Sequence, residues 1–268
     1  MPGYLQLLAL LSIHVFKREK VDVAIYEVHA GGKKDATNVF DQTVVCGFTT
    51  IGLDHTDLLG PTFKNVAWHK SGIMKLAVPA FSVSQEPAAR DVLEKEAAQL
   101  GCPIEFVQMC ETLPKHFNLR LDAQKTNATL AIRLAKTFLS RSEDELSARD
   151  IHVGLTQCHW PGRLHTIEQD NCRWFLDCAH NSLSLPVALE WFECEAQQSY
   201  KGCPRILIFG HESKRNSLDL IELIAGYSRD HDLTFDRIIL TPYERYGMLF
   251  PTLTYSLLTL IQDRLYTM

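Results

Sequence analysis

Seven short runs rich in β-branched and aromatic residues punctuate this chain, and helical periodicity fills most of the stretches between them. The runs are "VDVAIYEV" (Val21–Val28), "TVVCGFTTI" (Thr43–Ile51), "VPAFSV" (Val78–Val83), "PIEFV" (Pro103–Val107), "RWFLDC" (Arg173–Cys178), "RILIFG" (Arg205–Gly210) and "FDRIILT" (Phe235–Thr241). Each is mostly apolar and bounded by turn formers, as expected of a strand covered on both faces. Helices are expected near Lys64–Met74, Pro87–Leu100, Ala123–Leu139, Leu185–Gln197 and Leu218–Tyr227. Strand–helix alternation predicts β-α-β units and a mainly parallel sheet, an α/β fold. The polar stretch Ser140–Asp150 interrupts the pattern and reads as a linker, which places a boundary near residue 150 and gives domains 1–150 and 151–268.

The segment "LQLLALLSIHVF" (Leu5–Phe16) is the one place where a membrane could be invoked. It is shorter than the ~20 residues needed to cross a bilayer, and no basic residues precede it as they would a signal peptide. It is expected to be an amphipathic helix turned toward the core, with the cations of "FKREK" at its end. The formal net charge of −5 gives no basic footprint, so no nucleic acid and no integral membrane association are expected. Eight scattered cysteines without a C-x-x-C pair read as reduced thiols of an intracellular protein.

In parallel sheets, ligands gather at the carboxyl ends of strands. Glu27 ends the first run and is followed by Gly31 and Gly32, which allow close backbone approach to a ligand. It could equally cap the next helix or pair with Lys33 or Lys34. Asp54 and His55 follow the second run, and Lys70 lies on the helix downstream. Arg163 sits in "WPGR", while Asp177 and His180 end another run in "FLDCAHN". Taken singly, Arg163 could be a turn residue and Asp177 the cap of the helix beginning near Leu183. Together they supply a carboxylate and an imidazole for a hard divalent ion, an arginine for phosphate and an acid–histidine pair. That inventory suits phosphoryl transfer, where positioning and charge neutralisation dominate. Zinc hydrolysis fits less well, for no H-E-x-x-H is present.

The motifs "VDVAIYEV…GG…DATNV", "VVCGFTTIGLDHTDLLGPT", "AWHKSGIMK…VPAF", "KTNATLAIRLAKTFL", "WPGR" and "LDCAHN", in that order, resemble the folylpolyglutamate synthases of the Mur-ligase superfamily. The resemblance implies a fold: the mainly parallel sheet of the Mur-ligase central domain, without its phosphate-loop part, plus a smaller α/β C-terminal domain. It also implies an ATP-dependent ligase. ATP would phosphorylate the γ-carboxylate of a tetrahydrofolate or folylpolyglutamate, and the amine of L-glutamate would attack the acyl phosphate. Residue by residue, Glu27 and His55 match the family's Mg2+ ligands. Lys70 matches the lysine that becomes carbamylated, Arg163 and Asp177 match ATP-contacting positions, and His180 matches the histidine facing the reacting centre. A monomer in the cytoplasm is expected, with a mitochondrial form left open.

The chain departs from the family in places. No G-x-x-x-x-G-K-[ST] phosphate loop occurs in the 268 residues, as expected of an N-terminally truncated form. A sheet lacking the strands that accompany that loop is expected to expose apolar edges. His29 stands where the family has glycine, Cys178 replaces the glycine of Asp-Gly-Ala-His, and Ala123-Gln124 replaces His-Gln. "IFGHESKR" and "TPYER" keep only the outline of late motifs. Three functions compete: a folylpolyglutamate synthase impaired by the missing loop, an inactive remnant that survives as a binding or scaffold protein, and another superfamily ligase such as a dihydrofolate synthase or muramyl-peptide ligase. "WPGR" and "VVCGFTTIGLDHT" favour the first over the third.

Overall fold

The computed structural model describes residues 2–109, 113, 121–142, 144–199, 202–211 and 217–242. The chain divides into two compact units, Met1–Gln157 and Cys158–Met268.

The first unit contains α1 (Tyr4–Glu19), β1 (Cys46–Phe48), α2 (Thr56–Leu59), α3 (Phe63–Lys70) with a 3₁₀ turn at Ser71–Ile73, β2 (Ala80–Ser82), α4 (Pro87–Leu100), β3 (Ile104–Phe106), α5 (Asp122–Leu139) and α6 (Ala148–Thr156). Its strands form a parallel sheet in the order β1-β2-β3, with Cys46, Ala80 and Ile104 in one row and Gly47, Phe81 and Glu105 in the next. Side chains of neighbouring rows point to opposite faces. The Cys46 and Ala80 row joins Phe48, Val66, Ala67, Ala89, Leu93 and Ala97 in a core shared with α3 and α4. The Gly47 row faces α5. A Cβ at Gly47 would lie 2.8 Å from the Leu134 side chain, Phe81 packs with Leu130 and Leu134, and Arg133 bonds Glu105 at 2.6 Å.

Local signals set the helix ends. Thr62 accepts from the Asn65 N–H to cap α3. Glu86 caps α4 ahead of Pro87, and Gly101 closes it in the left-handed conformation. Leu93, fully buried on α4, is the residue whose truncation this core would least tolerate, at about 2–5 kcal/mol for Leu93→Ala. Gln85 ties the carboxyl ends of β1 and β2 together. It accepts from the Ile51 N–H (2.9 Å) and donates to the Thr49 carbonyl (2.9 Å) and the Ser82 hydroxyl (3.0 Å).

Two expectations require correction. Val21–Val28 is not a strand: it has no regular secondary structure, and no strand among the described residues is paired with it. The helix over Leu5–Phe16 forms, yet Ala9 is its only buried residue, and Leu5, Leu7, Leu8, Leu10, Leu11 and Val15 are exposed. Among the described residues one flank is covered: Phe16 meets the Tyr26 ring edge-on at 5.8 Å, and the Ser12 hydroxyl bonds Tyr26 at 3.3 Å. The stretch expected as a linker also contains the start of α6, where Ser147 and Asp150 form a reciprocal cap. Among the described residues no helix is long and apolar enough to cross a membrane.

The second unit contains β4 (His165–Gln169), β5 (Cys172–Leu176), α7 (Ser184–Ser199), β6 (Ile206–His211), α8 (Ser217–Asp230) and β7 (Arg237–Pro242). β4 and β5 form an antiparallel hairpin, and β6 and β7 pair in parallel. The hairpin turn has positive φ at both Asp170 (52°) and Asn171 (60°), the geometry whose twist matches the flanking strands. Leu185 and Leu189 of α7 pack with Leu220 and Ile224 of α8 in this unit's core. Residues 212–216 and 243–245, which carry most of the late motifs, lie outside the described residues.

Candidate functional site

In the first unit, the loop that follows Glu27 is built around Asp35. The Asp35 side chain is only 3% exposed. It accepts from the backbone N–H groups of His29 (3.1 Å), Ala30 (2.9 Å) and Thr37 (2.9 Å) and from the Thr37 hydroxyl (2.7 Å). Burial alone would raise its pKa. The hydrogen bonds from Ala30 and Thr37 and the nearby His29 ring outweigh that, and the carboxyl titrates below the usual aspartate range. These bonds close the loop, and it docks on the end of α3. The Lys33 N–H bonds the His69 carbonyl at 2.8 Å, and the Lys33 ammonium bonds Glu96 at 2.9 Å while lying 3.7 Å from the centre of the Trp68 ring. Asn38 donates to the Gly72 carbonyl (3.0 Å) and accepts from Lys75 (2.9 Å). Two glycines make this approach feasible. A Cβ on Gly32 would meet the His69 and Lys70 carbonyls at 2.6 and 2.7 Å, and one on Gly72 would meet the Lys33 nitrogen at 2.6 Å.

This docking brings Lys70, the last residue of α3, against the loop. Burial pushes its ammonium below the usual lysine range, and the charges of Asp54 and Asp35 recover only part of that. Asp54 also accepts from the His55 N–H at 2.7 Å. His55 caps α2 with φ of 52°, in the left-handed region, and is exposed. Glu27 is exposed near the end of Val21–Val28. Among the described residues no three His, Cys, Asp or Glu side chains converge as a metal cage.

In the second unit, Asp177 joins the other two motifs. Its two oxygens accept from the Leu164 N–H (2.7 Å) and the Ala179 N–H (2.8 Å). The Cys178 N–H bonds the Gly162 carbonyl at 2.9 Å, and the Arg163 N–H closes a turn onto the Trp160 carbonyl at 3.1 Å. Arg163 is exposed on this turn, between Gly162 (φ 76°) and Leu164 (φ 45°). His180 Nδ1 lies 2.8 Å from the Cys178 carbonyl. A carbonyl only accepts, so Nδ1 is the donor in this contact. Lys70 thus sits with its loop in the first unit, and Arg163, Asp177 and His180 are gathered in the second. Sequence reasoning missed Asp35 and Gln85. The closely spaced Asp35 and Thr37, a pattern that turns use to satisfy backbone donors, was the available signal for the first.

No protein-family model matches the chain. A folylpolyglutamate synthase of Neurospora crassa is 42% identical over 240 residues, which cover 86% of this chain and 45% of that protein. This chain belongs to the folylpolyglutamate synthase family. The mitochondrial folylpolyglutamate synthase of Homo sapiens is 34% identical over 262 residues, with the same shares of both chains. The chain therefore spans less than half the length of these curated synthases. Among solved structures, the apo folylpolyglutamate synthase of L. casei superimposes with a TM-score of 0.73 at 26% identity, covering 98% of this chain and 66% of that one. A folylpolyglutamate synthase complex with AMPPCP and folate gives 0.70 at 26% identity, covering 96% and 64%. The expected ligase family and α/β fold are therefore borne out.

Proposed function

We propose that this chain carries part of the active site of an ATP-dependent ligase that adds L-glutamate to the γ-carboxylate of a tetrahydrofolate or folylpolyglutamate through an acyl phosphate. The observation that carries this reading is Lys70, half-buried at the end of α3 and flanked by the charges of Asp54 and Asp35. Its lowered pKa increases the neutral amine, the form that takes up CO2 to become a carbamate. The solved synthase complex with an ATP analogue and folate supports both substrates.

Mg2+ is ordinarily held by one or two protein carboxylates together with substrate phosphates and waters, so a site without a three-residue cage still suits it. Glu27 and His55 would hold it, and the ion would neutralise phosphate charge. Arg163, presented on a tight turn, offers its guanidinium to the nucleotide. Asp177 shapes that turn first, and each of its oxygens keeps a lone pair for a nucleotide hydroxyl. His180, held by its Nδ1 contact to the Cys178 carbonyl, is proposed to face the transferred group. The reaction is proposed to take place in the cytoplasm, or in mitochondria as for the human and bovine relatives.

The 268 residues hold no phosphate-loop motif, so on their own they should add little or no glutamate. The test is a chimera in which this chain replaces its matching region in the Neurospora crassa synthase. Product formation from tetrahydrofolate, ATP and glutamate is expected, with loss on Glu27→Ala or His55→Ala in a chimera that still folds. A folded chimera that binds an ATP analogue yet makes no product would refute the catalytic reading. It would favour the second one, a binding protein, toward which His29 in place of a glycine already points.

A further inference from the structure

The main-chain ladder between β1 and β2 ends where the Val83 N–H bonds the Phe48 carbonyl at 3.0 Å. Beyond that point a side chain takes over. Gln85 Oε1 accepts from the Ile51 N–H at 2.9 Å, and its Nε2 donates to the Thr49 carbonyl at 2.9 Å. In a regular continuation of the ladder these two groups would face away from β2. Gln85, from the loop after β2, therefore captures the chain where it leaves the register of the sheet. Nε2 also donates to the Ser82 hydroxyl at 3.0 Å, and that hydroxyl, fully buried on β2, donates to the Val83 carbonyl at 2.8 Å. The set demands a carboxamide of this length: glutamate has no donor, and asparagine is one methylene shorter. Although Gln85 directly precedes the cap of α4, these three bonds go to β2 and to the exit from β1.

Asp54 and His55 lie just beyond this capture point, between Ile51 and Leu59, which are both buried in one core cluster. His55 has φ of 52°, a region that a residue with a side chain holds only where its surroundings fix it. On the far side, the His55 carbonyl accepts from the Leu58 and Leu59 N–H groups at 2.9 and 2.8 Å. On the near side, the His55 N–H bonds Asp54 at 2.7 Å, and the Asp54 N–H bonds the Gly52 carbonyl at 3.1 Å. Gly52 follows Ile51, whose N–H is held by Gln85. We infer that Gln85 is a positioning residue: its carboxamide fixes the path by which the chain leaves β1, and so the direction in which Asp54 and His55 are presented. What His55 then holds rests on the ligase reading above, whereas its placement by Gln85 does not.

Gln85→Leu keeps roughly the volume and removes all three bonds. In the 268-residue chain, hydrogen exchange at the Ile51 and Leu59 amides should quicken at least about 10-fold, with the Leu93 amide on α4 unchanged. Gln85→Glu retains an acceptor for the Ile51 N–H and replaces Gln85→Leu should that variant fail to fold. It should quicken Leu59 in the same direction. In the Neurospora crassa chimera with AMPPCP bound, the affinity for Mn2+, read by electron paramagnetic resonance, should fall about 10-fold in either variant. Ser147→Ala uncaps α6 and lowers stability without touching this turn, and it should bind Mn2+ like the original. Unchanged exchange at Ile51 and Leu59 overturns the inference. So does an unchanged affinity for Mn2+ in the Gln85 variants, or an equal loss in Ser147→Ala, which would make Gln85 a brace of general stability only. An original chimera that binds no Mn2+ refutes the metal assignment of the ligase reading instead, and the exchange result then decides the role of Gln85 by itself.

Discussion

Replacing Asp35 by alanine should unlock the loop that follows Glu27, and the size of the effect can be worked from the contacts it makes. The substitution leaves three backbone amides and one hydroxyl without their acceptor. A buried donor left unsatisfied costs about 1–3 kcal/mol, and water recovers part of that at His29, which is exposed. We therefore expect a loss of about 3 kcal/mol for Asp35→Ala. For Asp35→Asn we expect about half that, because one oxygen remains as an acceptor. The pH dependence follows in sign. The folded carboxyl titrates lower than the unfolded one, so its contribution is complete above the ordinary aspartate value near pH 4. It disappears as the pH falls through the lower folded value. The stability gap between the original chain and Asp35→Asn should accordingly narrow below about pH 4. Urea titrations measure the gap, and hydrogen exchange reads the Ala30 and Thr37 amides directly. Unaltered protection at those two amides, with an unshifted urea midpoint in Asp35→Ala, would refute the idea that this carboxylate organises the loop.

Further outcomes follow from close contacts elsewhere. Gly32→Ala forces a methyl onto two backbone carbonyls and should cost at least about 2 kcal/mol by thermal unfolding, whereas tolerance within 0.5 kcal/mol would mean the loop sits differently. Gly154→Ala, in α6 with open space around the added carbon, should stabilise by about 0.5–1 kcal/mol, and destabilisation would show a hidden neighbour. Tyr227 donates to Glu193 at 2.7 Å while His231 approaches the same oxygen at 3.0 Å. Tyr227→Phe should therefore cost only about 1 kcal/mol, and a double-mutant cycle with Glu193→Gln should show the coupling.

Much of the fold was legible because burial on two faces leaves a simple signature. The runs around Cys46–Phe48 and Ala80–Ser82 show no strict alternation, Ile104–Phe106 alternates about Glu105, and the helices between them carry Thr62, Glu86 with Pro87, and Gly101 at their ends. What failed to show depends on neighbours rather than on pattern. Val21–Val28 has a strand's composition, but a strand exists only where another strand receives its hydrogen bonds. The α1 leucines likewise read as core, and periodicity cannot say whether anything covers them. β4 escaped notice because "HTIEQ" is too polar to resemble a strand until its register with β5 is known. Within the candidate site, Asp177 follows β5 directly, whereas Lys70 ends α3 and Glu27 lies near the end of a run that is not a strand. The carboxylate that shapes the loop was not legible, for Asp35 acts on backbone amides, which no side-chain pattern encodes.

The interleaving of Gly32 with the last carbonyls of α3 has a mechanical consequence. Main chain rests on main chain there, so no side-chain rotamer can absorb a displacement. If the loop shifts by a fraction of an ångström, the final turn of α3 has to travel with it, and Lys70 is carried along. Any occupant gripped by one half of this joint is therefore registered by the other, through the skeleton of the protein alone.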